Sequence, residues 1–310
     1  MEVIRSLEQI PGEFRDAFVT IGNFDGVHLG HIPILKKLIE EAHREKSKAL
    51  VITFDPHPKK VLRPDIRPFY LITSIEEKIK LLEEIGVDGL IFIPFDLDFS
   101  RMTSESFVRD ILWGKLHIRK IFVGHDYSFG KSKTGNKVFL AEFGKQLGFE
   151  VDIINAVKLD DETISSTRLR HLILAGDVKT AARLLGRPYN ISGIVIEGKK
   201  RGSILGIPTA NIKPDKELIP AQGVYAVISR LGKDSYKGVL NVGFNPTFSD
   251  TDLSVEVFLL DFSGDIYGEK VDVLFIERIR DEVKFESPEQ LVTQIRKDID
   301  EARTILKLYS

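Results

Sequence analysis

The spacing of apolar residues changes character once along this chain, near Leu185, and that change decides what it can fold into. Before it, short runs rich in β-branched residues alternate with segments of helical period: Ala17–Ile21, Lys48–Phe54, Gly89–Ile93, Lys120–Val123 and Glu150–Ile154 read as strands. Between the first two, Ile34, Leu35, Leu38, Ile39 and Ala42 fall on one face of a helix opened by Pro33. Ser74-Ile75-Glu76-Glu77 is a capping box for a helix that stops at Gly86. Strands separated by helices imply right-handed crossovers and a parallel sheet, whose ligands sit beyond the carboxyl ends of the strands.

After Leu185 the apolar runs are of strand length only: Asn190–Ile196, Gly223–Ser229, Lys237–Val242, Ser254–Leu260 and Lys270–Ile276. With no long helical period between them, they predict an antiparallel sheet or small barrel. Ser287-Pro288-Glu289-Gln290 then caps a last helix striped by Leu291, Ile295, Ile299, Ala302 and Leu306. A chain of 310 residues is long enough for two domains, and Gly186-Arg187-Pro188 is the expected border, giving 1–185 and 186–310.

Composition excludes several functions. With 44 Lys+Arg against 46 Asp+Glu, a nucleic-acid coat or a membrane-surface binder is not expected. No cysteine is present, which removes disulfides, thiolate metal sites and a cysteine nucleophile together. The opening residues lack the apolar core of a signal peptide, and the longest apolar stretch, Gly89 to Phe95, is too short for a membrane span. The expected setting is cytoplasmic.

Two segments carry candidate chemistry in the first part. Gly22-Asn23-Phe24-Asp25-Gly26-Val27-His28-Leu29-Gly30-His31 joins the first strand to its helix. Its three glycines let the backbone approach a ligand, the helix start offers N–H groups to an anion, and His28 and His31 can donate to a phosphate. A plain turn with two surface histidines is the alternative, and a zinc site would need further ligands. Downstream, Ile164-Ser165-Ser166-Thr167-Arg168-Leu169-Arg170 sets hydroxyls and guanidiniums at a second helix start, suited either to phosphates or to ordinary capping.

The second part offers a glycine-rich basic loop, Gly198-Lys199-Lys200-Arg201-Gly202-Ser203-Ile204-Leu205-Gly206-Ile207-Pro208-Thr209-Ala210-Asn211, leading into a strand. Such a loop can cradle polyphosphate or be a basic hairpin, and Thr209 and Asn211 fall on one side of an extended segment, where both oxygens could ligate one Mg²⁺. Glu256 is the odd carboxylate in Val255-Glu256-Val257-Phe258-Leu259-Leu260, either outward on a solvated face or present for a purpose.

Taken together, GNFDGVHLGH and ISSTRLR resemble the paired signature of the nucleotidyltransferase superfamily. Thr53-Phe54-Asp55-Pro56-His57-Pro58 and Val123-Gly124-His125-Asp126-Tyr127-Ser128-Phe129-Gly130 are similar to its flavin-adenylating branch. GKKRGSILGIPTAN, Gly223-Val224-Tyr225, Asn241-Val242-Gly243-Phe244-Asn245-Pro246-Thr247 and Ile279-Arg280-Asp281-Glu282-Val283-Lys284-Phe285 look like the riboflavin kinase module, a six-stranded barrel with a C-terminal helix. The chain thus resembles the bacterial bifunctional riboflavin kinase/FAD synthetase family from about residue 15 to 308.

That resemblance implies an α/β Rossmann-like adenylyltransferase domain and an all-β kinase barrel. It implies that riboflavin is phosphorylated by ATP to FMN and ADP, and that FMN is adenylated to FAD, with Mg²⁺ required. It assigns ATP in the first domain to Gly22, Phe24, Asp25, His28, Gly30, His31, Ser165, Ser166, Thr167 and Arg170, and the flavin there to Phe54, Asp126 and Phe129. It assigns ATP in the barrel to Gly198, Lys200, Gly202, Gly206, Pro208, Thr209 and Asn211, the flavin to Glu256, Arg280 and Phe285, and general-base duty to Glu256. Departures from the family pattern fall at Ser203, Ile32 and Tyr127-Ser128. The competing expectations are an enzyme with one of the two activities and a flavin-binding regulatory protein. Neither a nucleic-acid partner, nor a membrane, nor an obligate protein partner is expected.

Overall fold

The computed structural model describes residues 1–63, 69–159, 162–198, 207–244 and 253–309. Packing divides the chain into two units, Met1–Phe69 with Thr73–Ser165, and Tyr70–Ile72 with Ser166–Ser310.

The first unit is built on a six-stranded parallel sheet: β1 (Glu2–Ile4), β2 (Phe18–Ile21), β3 (Ala49–Asp55), β4 (Gly89–Pro94), β5 (Lys120–Gly124) and β8 (Glu150–Ile154) stand in the order β1-β4-β3-β2-β5-β8. Two small ribbons, β6 (Ser128–Phe129) with β7 (Gly135–Asn136) and β9 (Lys158–Leu159) with β10 (Glu162–Thr163), complete its strands. Its helices are α1 (Ile32–Arg44), α2 (Pro58–Leu62), α3 (Ile75–Ile85), α4 (Ser104–Ser106), which winds on as a π-helix over Phe107–Lys115, and α5 (Lys137–Leu147).

The strands are apolar on both faces because both are covered. Val19, Ile21, Leu50, Ile52, Ile91, Ile93, Ile121 and Val123 face the core shared with the π-wound helix and α5. Their alternates Phe18, Val51, Leu90, Phe92 and Phe122 face Leu35, Leu38 and Leu82 of α1 and α3. Helix ends obey local chemistry: Ser74 Oγ accepts from Glu77 N at 3.1 Å, and Gly86 closes α3 at φ 100°, in the left-handed region that glycine adopts at no steric cost. The chain leaves β2 toward β3 and β4, then returns to place β5 on the other side of β2. That reversal opens a crevice at the carboxyl ends of β2 and β5.

The second unit is a closed antiparallel barrel flanked by α6 (Ser166–Leu174), α7 (Val178–Leu185) and α8 (Pro288–Ile305). Its strands are β11 (Tyr189–Ile196), β12 (Ala210–Pro214), β13 (Gly223–Leu231), β14 (Asp234–Phe244), β15 (Leu253–Leu259) and β16 (Lys270–Arg280), ordered β11-β12-β15-β14-β13-β16. Helices α6 and α7, which the apolar pattern groups with the first part, pack with this unit, and Val178, Ala181, Leu184 and Leu185 of α7 are buried.

Val224, Ala226, Val239 and Ile276 contact Ala302 and Leu306, so that side of the strands is the outer one. The opposite side fills the barrel with Tyr189, Ile191, Tyr225, Val227, Leu240, Val242, Val255, Val257, Val273 and Phe275, all nearly or wholly buried. Tyr225 and Phe275 meet edge to face at 5.2 Å, and burial pushes the Tyr225 phenol up to about 12.

Register then sets the outer face. Asn211 pairs with Glu256, Glu256 with Asn241, Asn241 with Val224 and Val224 with Arg280. Five residues distant in sequence form one row across the barrel, because paired residues point to the same side.

Arg280 ends that row in a two-pronged ion pair with Asp298 of α8, Nη2 to Oδ2 at 2.7 Å and Nε to Oδ1 at 2.9 Å, and the Asp298 side chain is 3% exposed. Truncating one partner of such a pair leaves a charge uncompensated, at a cost of about 3 kcal/mol. We expect Asp298→Ala to lower the stability of the barrel unit by about that amount in chemical denaturation, whereas exposed Asp300→Ala on the same helix should change it by less than about 0.5 kcal/mol.

Candidate active sites

Three adjacent strands, β3, β2 and β5, deliver the first unit's motifs to the crevice at their carboxyl ends. The loop after β2 is tightly wound: Phe24 (φ 46°), Gly26 (φ 88°) and Val27 (φ 37°) all lie in the left-handed region, which Phe and Val adopt only when the surroundings hold them there. Asp25, 1% exposed, accepts from Thr73 N at 3.2 Å and from Thr73 Oγ1 at 3.4 Å, and Gly26 N donates to Thr73 Oγ1 at 3.2 Å. Asp25 therefore ties the loop down from within.

His28 and His31 stack at 3.7 Å, with Phe24 edge-on to His31 at 5.1 Å. Both rings are fixed by backbone donors: Gly30 N donates to His28 Nδ1 at 3.1 Å and His28 N to His31 Nδ1 at 3.3 Å. A nitrogen that accepts carries no proton, so each neutral ring holds its N–H on Nε2 and is a donor there. Burial, with the neighbouring His28 and the Lys78 ammonium, holds the His31 pKa well below its ordinary value. Gly30 permits this packing, since a Cβ there would lie 2.9 Å from the His28 ring and 3.2 Å from the Ile164 carbonyl. The same contact brings the backbone next to Ser165 against the histidine loop. Gly22 has a comparable reason, its absent Cβ leaving 3.1 Å to the Phe24 ring.

Phe54, at the end of β3, and Phe129, in β6, belong to one run of rings. Phe54 meets Phe99 at 6.1 Å, Phe99 meets Phe107 at 6.3 Å, and Phe107 meets Phe129 at 5.5 Å, while Tyr127 stacks on Phe129 at 5.4 Å. Such a wall suits a flat aromatic ligand. Asp126 is exposed, 3.8 Å from His125 Nδ1. Among the described residues no group of three or more His, Asp or Glu is arranged to hold a metal ion, so the zinc alternative gains no ligands.

Ser166, Thr167 and Arg170 stand on α6, in the second unit. Arg170 is 9% exposed and its Nε donates to the Tyr70 carbonyl at 2.8 Å.

The barrel's candidate groups converge on its outer face. Glu256 is half-buried, with both carboxylate oxygens engaged: Ser254 Oγ donates to Oε1 at 2.9 Å and Thr209 Oγ1 to Oε2 at 3.3 Å. Asn211 is beside Glu256 in register, and a Cβ on Gly198 would overlap the Asn211 amide. Thr209 and Asn211 thus present neutral oxygens next to a carboxylate, a donor set that suits a hard cation mainly held by phosphate. Pro208 is exposed; Phe285 is half-buried, 5.9 Å from the Arg280 guanidinium, which is itself held by Asp298. Lys200, Gly202, Gly206 and Ser203 of the basic loop, and Asn245-Pro246-Thr247, lie outside the described residues. Sequence reasoning missed Ser254 and Thr73, whose partners 2 and 48 residues away are found only once the fold is known.

A group whose pKa is lower in the folded than in the unfolded chain binds fewer protons when folded, so acid destabilises it. For His31 the loss begins as pH falls below about 6.5 and approaches about 1.4 kcal/mol per pH unit. Thermal melts of the wild type between pH 7.5 and 5 should show this slope, and His31→Gln should reduce it.

Comparisons with known proteins agree across both units. Residues 10–168 match the family described as FAD synthetase, and residues 185–306 match the family described as riboflavin kinase. The bifunctional riboflavin kinase/FMN adenylyltransferase of Haemophilus influenzae is 38% identical over 304 residues, 98% of each chain. That of Listeria monocytogenes is 38% identical over 287 residues, 92% of this chain and 91% of its own. A crystal structure from Streptococcus pneumoniae, described as a macrolide-efflux protein, superposes with a TM-score of 0.88 at 34% identity, covering 97% of this chain and 98% of that one. The efflux description concerns that protein, and among the described residues here no helix is long and apolar enough to cross a membrane. By two family matches in tandem and full-length relatives, this chain belongs to the bifunctional riboflavin kinase/FMN adenylyltransferase family.

Proposed function

We propose that this chain makes FMN and then FAD. The likeness to full-length bifunctional relatives, 38% identical over 98% of each chain, carries the reading. In the first reaction the ribityl 5′-hydroxyl of riboflavin attacks the γ-phosphorus of ATP, forming FMN and releasing ADP. In the second, a phosphate oxygen of FMN attacks the α-phosphorus of another ATP, forming FAD and releasing pyrophosphate. No covalent enzyme intermediate is required. We assign adenylyl transfer to residues 1–185 and kinase activity to 186–310.

In the barrel, Glu256 takes the hydroxyl proton. Ser254 and Thr209, donating to Oε1 and Oε2, orient the carboxylate, whose remaining lone pairs accept the substrate hydroxyl. Thr209 and Asn211 hold Mg²⁺, which when bound neutralises charge on the ATP phosphates. Gly198, Lys200, Gly202, Gly206 and Pro208 bind ATP, while Arg280 and Phe285 bind the flavin. Arg280 acts from its ion pair with Asp298, which fixes its position.

For adenylyl transfer, charge grows on the phosphate oxygens as pyrophosphate leaves. Neutral donors already aimed at that charge lower the barrier without reorganisation. His28 and His31 are such donors through Nε2, with Gly22, Phe24, Asp25 and Gly30 forming their loop. Ser165, Ser166, Thr167 and Arg170, with their hydroxyls and guanidinium, are assigned to ATP by the family resemblance. Phe54 and Phe129 border the isoalloxazine, and Asp126 the nucleotide or its Mg²⁺. The setting is cytoplasmic, where ATP and riboflavin are both available, and no protein partner is needed.

The test is two single replacements in the full chain, with products separated by chromatography. Glu256→Gln should lower the rate of FMN formation by about 10²- to 10⁴-fold and leave adenylation of supplied FMN intact. His31→Ala should lower FAD formation by about 10²- to 10³-fold and spare FMN formation. Loss of both activities in either variant, with the protein still folded, would contradict two separate sites.

A further inference from the structure

Lys78 is the one buried lysine in the first unit among the described residues, 6% exposed, on the first full turn of α3 and outside every motif that carries the chemistry. A buried ammonium is costly unless it is hydrogen-bonded and charge-compensated. Lys78 has both: its Nζ donates to the Asn23 carbonyl at 2.8 Å, and the carboxylates of Asp25 and Asp55 supply negative charge. Asn23 is the second residue of the histidine loop. Burial lowers the Lys78 pKa, and the two carboxylates pull it back up.

The contact has a companion. Thr73, just before the Ser74 cap of α3, receives Gly26 N on its hydroxyl and gives its own N–H and O–H to Asp25. The start of α3 thus grips the loop at residues 23, 25 and 26, on either side of left-handed Phe24 and next to left-handed Val27. A conformation of that kind persists only where several contacts determine it together. A methionine or glutamine would fill the space, so volume does not explain the lysine. Its charge reaches the chemistry as well: the Lys78 ammonium is one of the groups that disfavour protonation of His31, alongside burial and His28.

We propose that Lys78 is a positioning residue for adenylyl transfer, pinning the Asn23 carbonyl so that the loop keeps its shape and setting a fixed positive charge against that loop. The proposal rests on the reading of that loop as the site of the ATP phosphates. Lys78 acts through the loop, with Asp25 and Asp55 facing its ammonium, and His28 and Lys78 facing His31.

Three full-length variants separate pinning from charge: Lys78→Arg keeps both, Lys78→Gln keeps a donor without charge, and Lys78→Met keeps neither. Each is assayed with FMN, ATP and Mg²⁺ for FAD, across pH 5.5 to 8.5, with riboflavin phosphorylation measured in parallel. Lys78→Met should lose at least 100-fold in kcat/KM for ATP in FAD formation. Lys78→Gln should lose about tenfold, and the acidic limb of its pH profile should move to higher pH as His31 regains a more ordinary pKa. Lys78→Arg should recover most of the activity, and all three should phosphorylate riboflavin as the wild type does. Wild-type FAD kinetics in Lys78→Met would overturn the proposal. So would equal losses in Lys78→Gln and Lys78→Met with an unmoved pH profile, which would mark the lysine as packing alone. A wild type that makes FMN but no FAD would instead overturn the reading of the loop.

Discussion

A neutral imidazole has one N–H, and whatever its other nitrogen accepts decides where that N–H points. In the first unit this constraint is met by the loop itself. The backbone N–H groups of His28 and Gly30 supply the hydrogen bonds that set the two rings, so the strand-to-helix turn and the protonation state of the site are one structure. The consequences run outward. Gly30 must lack a side chain because the His28 ring occupies that space, and Asp25 and Thr73 hold left-handed Phe24 and Val27 in place. The parallel sheet supplies the location, since β2 is flanked by β3 and β5 at the reversal of strand order. The two rings thus present Nε2 donors that need neither titrate nor turn.

The barrel solves its problem by register instead. Tyr189, Tyr225, Leu240, Val257 and Phe275 fill the interior, and strict alternation sends their neighbours outward. The outer row of Asn211, Glu256, Asn241, Val224 and Arg280 passes from polar groups at one end to the Arg280–Asp298 ion pair beside α8 at the other. Glu256 is neither free in solvent nor shut in the core. Its two oxygens are held by Ser254 and Thr209, and the second of these hydroxyls belongs to a residue also suited to Mg²⁺. The Thr209 hydroxyl and the Glu256 carboxylate are therefore direct neighbours.

Much of this was legible in the sequence, for identifiable reasons. Doubly covered strands are continuous apolar runs, so the central strands and their order of appearance were readable, as were the Ser74 and Ser287 caps. The helix Lys137–Leu147 was equally marked, by Asn136 capping Val138 N and by Gly148 at φ 93°, yet it went unread because its apolar stripe is aromatic and irregular. Strand β12 was readable only as the strand into which the basic loop leads. Packing of α6 and α7 with the barrel had no local signature at all. The histidine loop and Glu256 were visible as residues out of place. Their supports, Thr73, Lys78 and Ser254, were not, because a threonine beside a helix cap, a lysine on a helix and a serine on a strand are unremarkable until the fold brings them to the loop or the carboxylate.

The state of the two imidazoles is read most directly by nitrogen NMR of the chain with labelled histidine. Seven histidines give few enough signals to assign through single replacements. At pH 7 His28 and His31 should both show a protonated Nε2 and an unprotonated, hydrogen-bonded Nδ1, and the Nε2 signals should shift when a non-hydrolysable ATP analogue and Mg²⁺ are added. Protons on Nδ1, an imidazolium at His31, or Nε2 signals indifferent to the nucleotide would contradict this reading.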